Sequence, residues 1–232
     1  MKTLIIIPAY NEEGAIETVV KDLVNNHPHY DYVVVNDGSW DRTADVCRSK
    51  NFNLLDLPVT VGLSGAIQAG MKLAKTKNYD YAVQIDGDGQ HMPLYISDLF
   101  AKMEEVGADI VIGSRFLSNK KKLNSRALGG GIIKFMLLLV SGTRLTDPTS
   151  GMRLYNKKMI REFSGNINYS PEPDTIAYLI RNGIKVAEAK VEMKEREYGE
   201  SYLNFANAIR YMLHMAVSIL FIQWFRKKRG VL

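Results

Sequence analysis

Two aspartates separated by one glycine, Asp86 and Asp88, come directly after a short run of apolar and β-branched residues. Carboxylates with this spacing at a strand end can share one divalent cation, and Gln90 can add an amide oxygen. Mn²⁺ and Mg²⁺ prefer oxygen ligands and leave coordination positions for phosphate oxygens. Taken alone, these residues are equally compatible with a polar turn in which Asp and Gly only satisfy the backbone geometry.

The elements that would position these residues follow from the hydrophobic pattern. Short runs rich in β-branched residues alternate with helix-length segments that carry one apolar face, which indicates parallel strands joined by right-handed crossovers. We therefore predict an α/β fold with a Rossmann-like, doubly wound, mostly parallel sheet. The predicted strands are Leu4–Ile7, Tyr32–Val35, Tyr81–Ile85 and Asp109–Ile112, and the helices between them are Ala15–Asn26, Leu63–Lys75 and Leu94–Val106.

The second half of the chain has a less regular pattern. Arg126–Val140 is predicted to be helical, although three glycines interrupt it, and Arg153–Tyr155 and Ile184–Val191 are each predicted to supply a strand. Phe205–Phe225 is a long, largely apolar helix that leads into Arg-Lys-Lys-Arg. This pattern predicts a domain of residues 1–203 and an amphipathic basic helix in residues 204–232.

Three acidic loops converge on one edge of the predicted sheet. In an open parallel sheet, ligands bind beyond the carboxyl ends of the strands. Pro8–Glu13, Asn36–Asp41 and Asp86–His91 each follow a predicted strand, so they meet at that edge. Their convergence favours the metal site over the polar turn. Asp37 can accept hydrogen bonds there from a base or a ribose, whereas Asp41 and Thr43 are typical of helix starts.

Composition narrows the class of protein. The 232 residues suffice for one α/β domain, and a single cysteine, Cys47, excludes a disulfide framework and a cysteine-rich zinc site. The apolar N-terminal run is too short for a secretion signal. The net charge of +5 arises from residues 205–232, which hold five basic and no acidic residues. This basic end predicts an anionic partner, and anionic lipid is favoured over nucleic acid because stacking aromatics are not interleaved with the basic residues.

The motifs resemble glycosyltransferase family 2. Ile-Ile-Pro-Ala-Tyr-Asn-Glu at 6–12, Val-Asn-Asp-Gly-Ser-Trp-Asp at 35–41 and Gln-Ile-Asp-Gly-Asp-Gly-Gln-His at 84–91 carry the likeness. Ile-Gly-Ser-Arg at 112–115 and Asp-Pro-Thr-Ser-Gly-Met-Arg at 147–153 are similar to the branch of dolichol-phosphate mannose synthase and bacterial polyprenyl-phosphate glycosyltransferases. The resemblance implies a GT-A fold and an inverting, metal-assisted transfer from a nucleoside diphosphate sugar.

The resemblance also implies roles for individual residues. Those matching nucleotide-sugar-binding positions are Pro8, Tyr10, Glu12 and Asp37, with Asp86 on the diphosphate; those matching the site of Mn²⁺ or Mg²⁺ are Asp86, Asp88 and Gln90. Arg115 and Arg126 match arginines that bind the acceptor phosphate, and Arg196 matches an arginine associated with the donor diphosphate.

Two positions depart from the family pattern. Leu63-Ser64 stands where a basic residue is common, and Tyr202 stands where the late motif often has lysine. The Ser-Pro-Glu-Pro-Asp stretch at 170–174 is similar to bacterial cell-wall polysaccharide members, which favours UDP-glucose or UDP-N-acetylglucosamine as donor.

The acceptor determines whether a base is needed. A polyprenyl phosphate is largely dianionic at neutral pH and needs little help from a general base. Arginines would orient it through charge-assisted hydrogen bonds. Transfer to a glycan hydroxyl is the alternative, and it would require a carboxylate base, for which Glu172 and Asp174 are the candidates. A further alternative, a non-catalytic nucleotide-sugar or nucleic-acid binding module, predicts that Asp88→Asn leaves the biological function intact.

Membrane association is expected to be peripheral. A spanning helix needs about 20 apolar residues, and Tyr211–Phe225 offers fewer, so this helix is expected to lie in the interface with Trp224 and the terminal basic cluster at headgroup level. Ile132–Val140 is a second candidate surface, with core or dimer packing as the alternative for both. With no secretion signal, we expect the cytoplasmic face of the membrane. The sequence leaves open a membrane-protein partner or a homo-oligomer.

Overall fold

A single seven-stranded sheet organises the protein. The structure, a computed structural model, describes residues 1–117, 125–165, 169–194, 210 and 214–222. The strands run in the order β3-β2-β1-β4-β6-β5-β7, and within this part of the chain every neighbouring pair is parallel except the two that β6 makes. They are β1 (Thr3–Ala9), β2 (Asp31–Asn36), β3 (Leu54–Asp56), β4 (Tyr81–Gln84), β5 (Ile110–Ser114), β6 (Arg153–Asn156) and β7 (Val186–Lys190).

Helices cover both faces of this sheet. They are α1 (Ile16–Asn26), α2 (Thr43–Ser49), α3 (Gly62–Thr76), α4 (Ile96–Val106), α5 (Ser125–Ser141), α6 (Lys157–Gly165) and α7 (Pro173–Arg181), with a 3₁₀ turn at Pro93–Tyr95 ahead of α4. Residues 214–222 are also helical and end in a π-helical turn, Ser218–Ile222. The expected doubly wound, mostly parallel arrangement is therefore confirmed.

Two apolar cores lie on opposite sides of the sheet. Alternate residues of β1 point to each side, so Ile5 and Ile7 pack with α1 and α4, whereas Leu4 and Ile6 pack with α3, α5, α6 and α7. All seven residues of β1 are buried. A strand buried on both faces needs apolar residues throughout, which explains the continuous hydrophobic run in the sequence.

The elements predicted up to Val191 are all present, with ends shifted by one or a few residues. Four further elements were not predicted as such: β3, α2, α6 and α7. β3 has only three residues, too few to show a period. α6 does have an amphipathic pattern, with Met159, Ile160 and Phe163 buried among charged residues, and was missed. Of the predicted helix Phe205–Phe225, Arg210 and residues 214–222 are described and are helical; the rest, including Trp224 and the basic cluster, lies outside the described residues.

Strand β6 runs opposite to its neighbours and sits between β4 and β5. Its first residue, Arg153, is in register with Gln84 of β4 and Ile112 of β5. Since β6 begins where β4 and β5 end, the loop that precedes β6 lies at the carboxyl edge of the parallel strands. Residues 142–152 thereby join the acidic loops at that edge.

Candidate active site

The loops after β1 and β2 are braced against each other by side-chain to backbone hydrogen bonds. The Asn11 amide donates to Ser39 Oγ (3.0 Å), and the Trp40 amide donates to Asn11 Oδ1 (3.1 Å). Asn11 has a positive φ of 57°, a conformation that Asn tolerates better than most residues. The Glu12 amide donates to Thr43 Oγ1 (2.9 Å). These bonds hold the predicted nucleotide-binding loops, including the half-exposed Tyr10, in a defined shape.

Asp37 is buried at this edge, and both of its carboxylate oxygens accept backbone hydrogen bonds. Oδ1 accepts from the Val61 amide (2.7 Å) and Oδ2 from the Gly62 amide (2.9 Å). These amides lie at the start of α3 and would otherwise lack intrahelical partners. Asp37 therefore fixes the entry into α3; its predicted contact with a base or ribose remains a prediction.

The loop that follows β4 carries the paired aspartates. The Asp86 amide donates to His91 Nδ1 (2.9 Å), and the Gln90 amide donates to Asp88 Oδ1 (3.0 Å). Gly89 has a φ of 79°, which allows the loop to turn between these two bonds. The Gln90 side chain donates through Nε2 to the Lys194 carbonyl (3.4 Å), so its amide oxygen is not used in that bond.

The environment of Asp86 fits the cation predicted from the sequence. The Gly151 backbone lies so close that a β-carbon there would be 2.6 Å from Asp86 Oδ1, and closer still to Oδ2. The missing side chain of Gly151 thus leaves room for the Asp86 carboxylate at the edge of the sheet. Carboxylates and an amide form an all-oxygen donor set, which suits Mn²⁺ or Mg²⁺. Within the described residues, no three His, Cys, Asp or Glu side chains are gathered closely enough to hold a metal by themselves.

Arg115 lies just beyond β5 and forms a two-bond ion pair with Asp147. Arg115 Nε donates to Asp147 Oδ2 (2.6 Å) and Nη2 donates to Oδ1 (2.9 Å). The hydrogen bonds with Asp147 raise the pKa of the guanidinium against the opposing effect of burial, and the charge of Asp86 raises that pKa further. The predicted acceptor arginine and the predicted metal ligand are therefore electrostatically coupled.

A fully buried guanidinium, Arg153, supports the loop that carries Asp147. Its Nε donates to the Ser150 carbonyl (2.8 Å) and its Nη2 to the Pro148 carbonyl (2.9 Å). Two of its three guanidinium nitrogens therefore bind the loop backbone, and since a buried charge is costly without such hydrogen bonds, these contacts commit Arg153 to shaping the loop. The sequence motif at 147–153 includes both residues, but no role was assigned to them from the sequence.

The two candidate bases lie at the start of α7. Asp174 is buried; its Oδ1 accepts from the Thr175 amide (2.6 Å) and its Oδ2 from Ser218 Oγ (2.7 Å). These contacts attach the 214–222 segment to α7, and a role of Asp174 as a base stays a prediction. Burial, followed by the charge of Asp174, raises the pKa of Glu172. Neither carboxylate is the exposed helix-start residue that a purely local role would predict.

Two predicted arginines cannot be placed by their side chains. Arg126 lies in the first turn of α5, and its side chain is outside the part of the chain that the structure describes. Arg196 lies outside the described residues altogether.

The structure adds one residue that no sequence signal pointed to, Glu188 of β7, whose carboxylate binds the backbone of the 146–147 loop.

Comparison with known proteins places this arrangement among glycosyltransferases. Residues 4–164 match the family described as "Glycosyl transferase family 2". An undecaprenyl-phosphate mannosyltransferase of Micrococcus luteus is 30% identical over 216 residues, covering 88% of this chain and 88% of the relative. A UDP-N-acetylglucosamine–dolichyl-phosphate N-acetylglucosaminyltransferase of Methanococcus voltae is 28% identical and covers 84% of this chain and 86% of its own.

A solved structure shares the fold at low sequence identity. Glucosyl-3-phosphoglycerate synthase of Mycobacterium tuberculosis, in complex with Mn²⁺, UDP and phosphoglyceric acid, has a TM-score of 0.65 and 18% identity. The match covers 99% of this chain and 80% of that one. The predicted GT-A architecture is confirmed by this likeness.

Proposed function

This chain belongs to glycosyl transferase family 2, in the branch of the polyprenyl-phosphate glycosyltransferases, and from that premise we propose that it transfers a hexose or N-acetylhexosamine from a UDP-linked donor to a polyprenyl phosphate at a membrane surface. The observation that carries the proposal is that a predicted metal ligand, Asp86, and the predicted acceptor arginine, Arg115, lie at the same edge of the sheet. Asp86 lies against the Gly151 backbone of the loop before β6, and the same loop carries Asp147, which binds Arg115 through two hydrogen bonds.

The donor side is formed by the loops after β1, β2 and β4. Asp86, Asp88 and Gln90 would hold Mn²⁺ or Mg²⁺, which when bound supplies a Lewis acid for the diphosphate leaving group. The braced loops at 10–13 and 37–43 would hold the nucleotide without rearranging, because their backbone is already hydrogen-bonded. The Mn²⁺ and UDP complex of the Mycobacterium tuberculosis enzyme supports this assignment.

The acceptor side is formed by Arg115. Its Nε and one Nη2 hydrogen are committed to Asp147, and within the described part of the chain Nη1 makes no hydrogen bond. The remaining donors can orient a phosphate oxygen by charge-assisted hydrogen bonds. A phosphate dianion then attacks the sugar without a protein base, which agrees with the structural contacts of Asp174. The two polyprenyl-phosphate and dolichyl-phosphate transferases among the relatives support this acceptor class.

An exposed apolar surface lies beside the acceptor arginine, and we propose that it binds the lipid bilayer. Phe116 follows Arg115 directly and is half exposed, and α5 exposes Phe135 (64%) and Leu139 (67%). The 214–222 segment packs against α5 and exposes Phe221 (61%). Lys134 lies over the Phe116 ring at 4.4 Å, which places a positive charge within this apolar face. Such a combination suits an anionic interface, where apolar groups insert and cations remain at headgroup level.

None of the helices that the structure describes is both long enough and apolar enough to cross a bilayer. We propose that the protein binds the cytoplasmic face peripherally, with the basic end in residues 226–229 adding electrostatic attraction, and that its product serves cell-wall or surface polysaccharide synthesis.

Two measurements test the function in sequence. A thermal-shift panel of UDP- and GDP-sugars with Mn²⁺ identifies the donor, because a ligand that binds the native state raises the Tm. The radiolabelled donor is then incubated with a polyprenyl phosphate and the mixture is extracted into organic solvent. Label that enters the organic phase supports the proposal. Label that reaches only a glycan hydroxyl would favour the alternative acceptor, and absence of any transfer would overturn the enzymatic proposal.

A further inference from the structure

A chain of carboxylate contacts leads from β7 to the acceptor arginine. Glu188, the central residue of β7, accepts hydrogen bonds from two consecutive backbone amides, Thr146 (2.7 Å to Oε2) and Asp147 (2.6 Å to Oε1). Thr146 Oγ1 donates to Glu188 Oε2 as well (2.8 Å). The Glu188 charge is thus used to fix the backbone of the residue whose side chain holds Arg115.

Asp147 transmits this fixed position to the guanidinium. Its side chain is 1% exposed, so it cannot swing into solvent, and it binds Arg115 through two parallel hydrogen bonds. A two-bond carboxylate contact defines the plane of a guanidinium as well as its position. A second link, between Ser114 Oγ and Thr146 Oγ1 (2.6 Å), ties the loop to the residue before Arg115. Arg115 is therefore held by Asp147 through its guanidinium, and the loop that carries Asp147 is tied to the residue before Arg115, while the Arg115 side chain remains partly exposed.

A fixed arginine has a particular energetic consequence. A long, flexible side chain loses rotamer freedom when it binds a ligand, and an arginine already held in place loses less. That gain applies to the ligand that Arg115 binds and to no other ligand of the site. The contacts to Glu188 and Asp147 should therefore affect the affinity for the acceptor while leaving the affinity for the donor unchanged.

We propose that Glu188 and Asp147 are positioning residues that orient Arg115 for the acceptor phosphate. Neither touches the acceptor; both act through the guanidinium. The inference rests on the proposed function, since it assumes that Arg115 binds the acceptor phosphate. It adds two residues to that site, one of which, Glu188, lies 73 positions along the chain from Arg115, on β7, whereas Arg115 follows β5.

Steady-state transfer to farnesyl phosphate, a short and soluble polyprenyl phosphate, tests the proposal. Asp147→Asn should raise the KM for farnesyl phosphate by about tenfold, the loss of roughly one charge-assisted hydrogen bond, with the donor KM unchanged. Glu188→Gln should raise it by a smaller factor, since the amide oxygen still accepts. The control is Glu192→Gln, the same change at an exposed position beyond the end of β7, which should behave as wild type. A donor KM that rises in parallel would overturn the proposal.

Coupling between the variants separates positioning from a general structural role. If Asp147 acts through the guanidinium, its substitution should change little in an Arg115→Lys background, because the fork it orients is gone. Additive effects would contradict the inference, and so would a lowered Tm that accounts for the loss. Calorimetric binding of farnesyl phosphate to wild type and Asp147→Asn gives a readout apart from turnover. Unchanged binding in the variant overturns the positioning role, whereas wild-type binding without transfer overturns only the proposed reaction.

Discussion

The Gly151 backbone lies directly against the Asp86 carboxylate, and no side chain larger than hydrogen fits between them. A β-carbon at 151 would be 2.6 Å from Asp86 Oδ1, well inside contact distance. Asp86 leads the segment that the sequence assigns to the cation, so the loop before β6 sets the space in which that carboxylate stands.

Gly151→Ala should displace the Asp86 carboxylate and weaken the cation site. We expect the Mn²⁺ concentration for half-maximal activity to rise by about tenfold, because the direction of one oxygen ligand changes. Gly165→Ala is the matched control, since among the residues that the structure describes no atom lies within 4 Å of a β-carbon placed there. Titration of Mn²⁺ in the transfer assay measures both. Equal Mn²⁺ requirements in the two variants would show that the Gly151 contact does not bear on the cation.

Asp88→Asn should lower kcat strongly while leaving the fold intact. Loss of one charged ligand weakens stabilisation of the diphosphate leaving group, and removal of a comparable electrostatic group costs about 10²–10³ in kcat. The control is Asp98→Asn, an exposed position in α4. Circular dichroism and Tm establish that both variants fold. Wild-type turnover in Asp88→Asn would favour the non-catalytic binding module over the transferase.

Asp37→Ala should destabilise the protein whether or not Asp37 also touches nucleotide. The substitution leaves the Val61 and Gly62 amides at the start of α3 without their acceptor, which costs about 2 kcal/mol in the free energy of unfolding. The control is Asp45→Ala, whose exposed ion pair with Arg48 (3.4 Å) contributes less than about 1 kcal/mol. Urea unfolding compares the two. A free energy of unfolding equal to that of wild type would mean that the two amides find other partners.

Glu172→Gln should change how stability depends on pH. Burial and the Asp174 charge raise the pKa of Glu172 above its ordinary value of 4.5, so the folded state holds this proton more tightly than the unfolded state. The stabilisation from the protonated form is complete below the unfolded pKa and is lost as pH rises through the raised folded pKa. Glu172→Gln should therefore gain stability relative to wild type as pH rises from about 4.5 towards neutrality. Tm measured across that range checks this, with exposed Glu104→Gln as the control.

Phe135→Glu should weaken binding to lipid vesicles. The side chain is 64% exposed on α5, so its replacement removes apolar area and adds a negative charge at the proposed bilayer contact. Loss of one inserted aromatic, about 2 kcal/mol, corresponds to more than tenfold in binding. Val24→Glu introduces the same charge on α1, at an exposed position on the opposite face of the sheet. Flotation with phosphatidylglycerol-containing vesicles measures both, and equal binding would place the bilayer contact elsewhere.

Local pattern was sufficient for most of the sheet and for the edge that carries the site. The continuous apolar run that includes Ile5 and Ile7 predicts a strand buried on both faces. Asp86 and Asp88 could be recognised as candidate ligands because they follow another such strand. Glu188 could not be recognised from the sequence, because it lies in a short alternating strand. Its role depends on hydrogen bonds from the 146–147 backbone, which lies next to it only in the folded chain. The role of Arg153 could not be predicted either, because the sequence does not indicate that this charged residue is fully buried.

The reversed strand has a consequence for the order in which the protein can assemble during synthesis. In the described part of the chain, β5 pairs only with β6 and β7, both of which emerge from the ribosome after it. Strands β1 to β4 can form their parallel ladder first, but β5 cannot join until residues 153–156 insert beside β4. Closing such a long loop slows folding. A nascent chain that stops short of β6 therefore holds the paired strands β1 to β4, while β5 and the Arg115 that follows it have no strand to pair with.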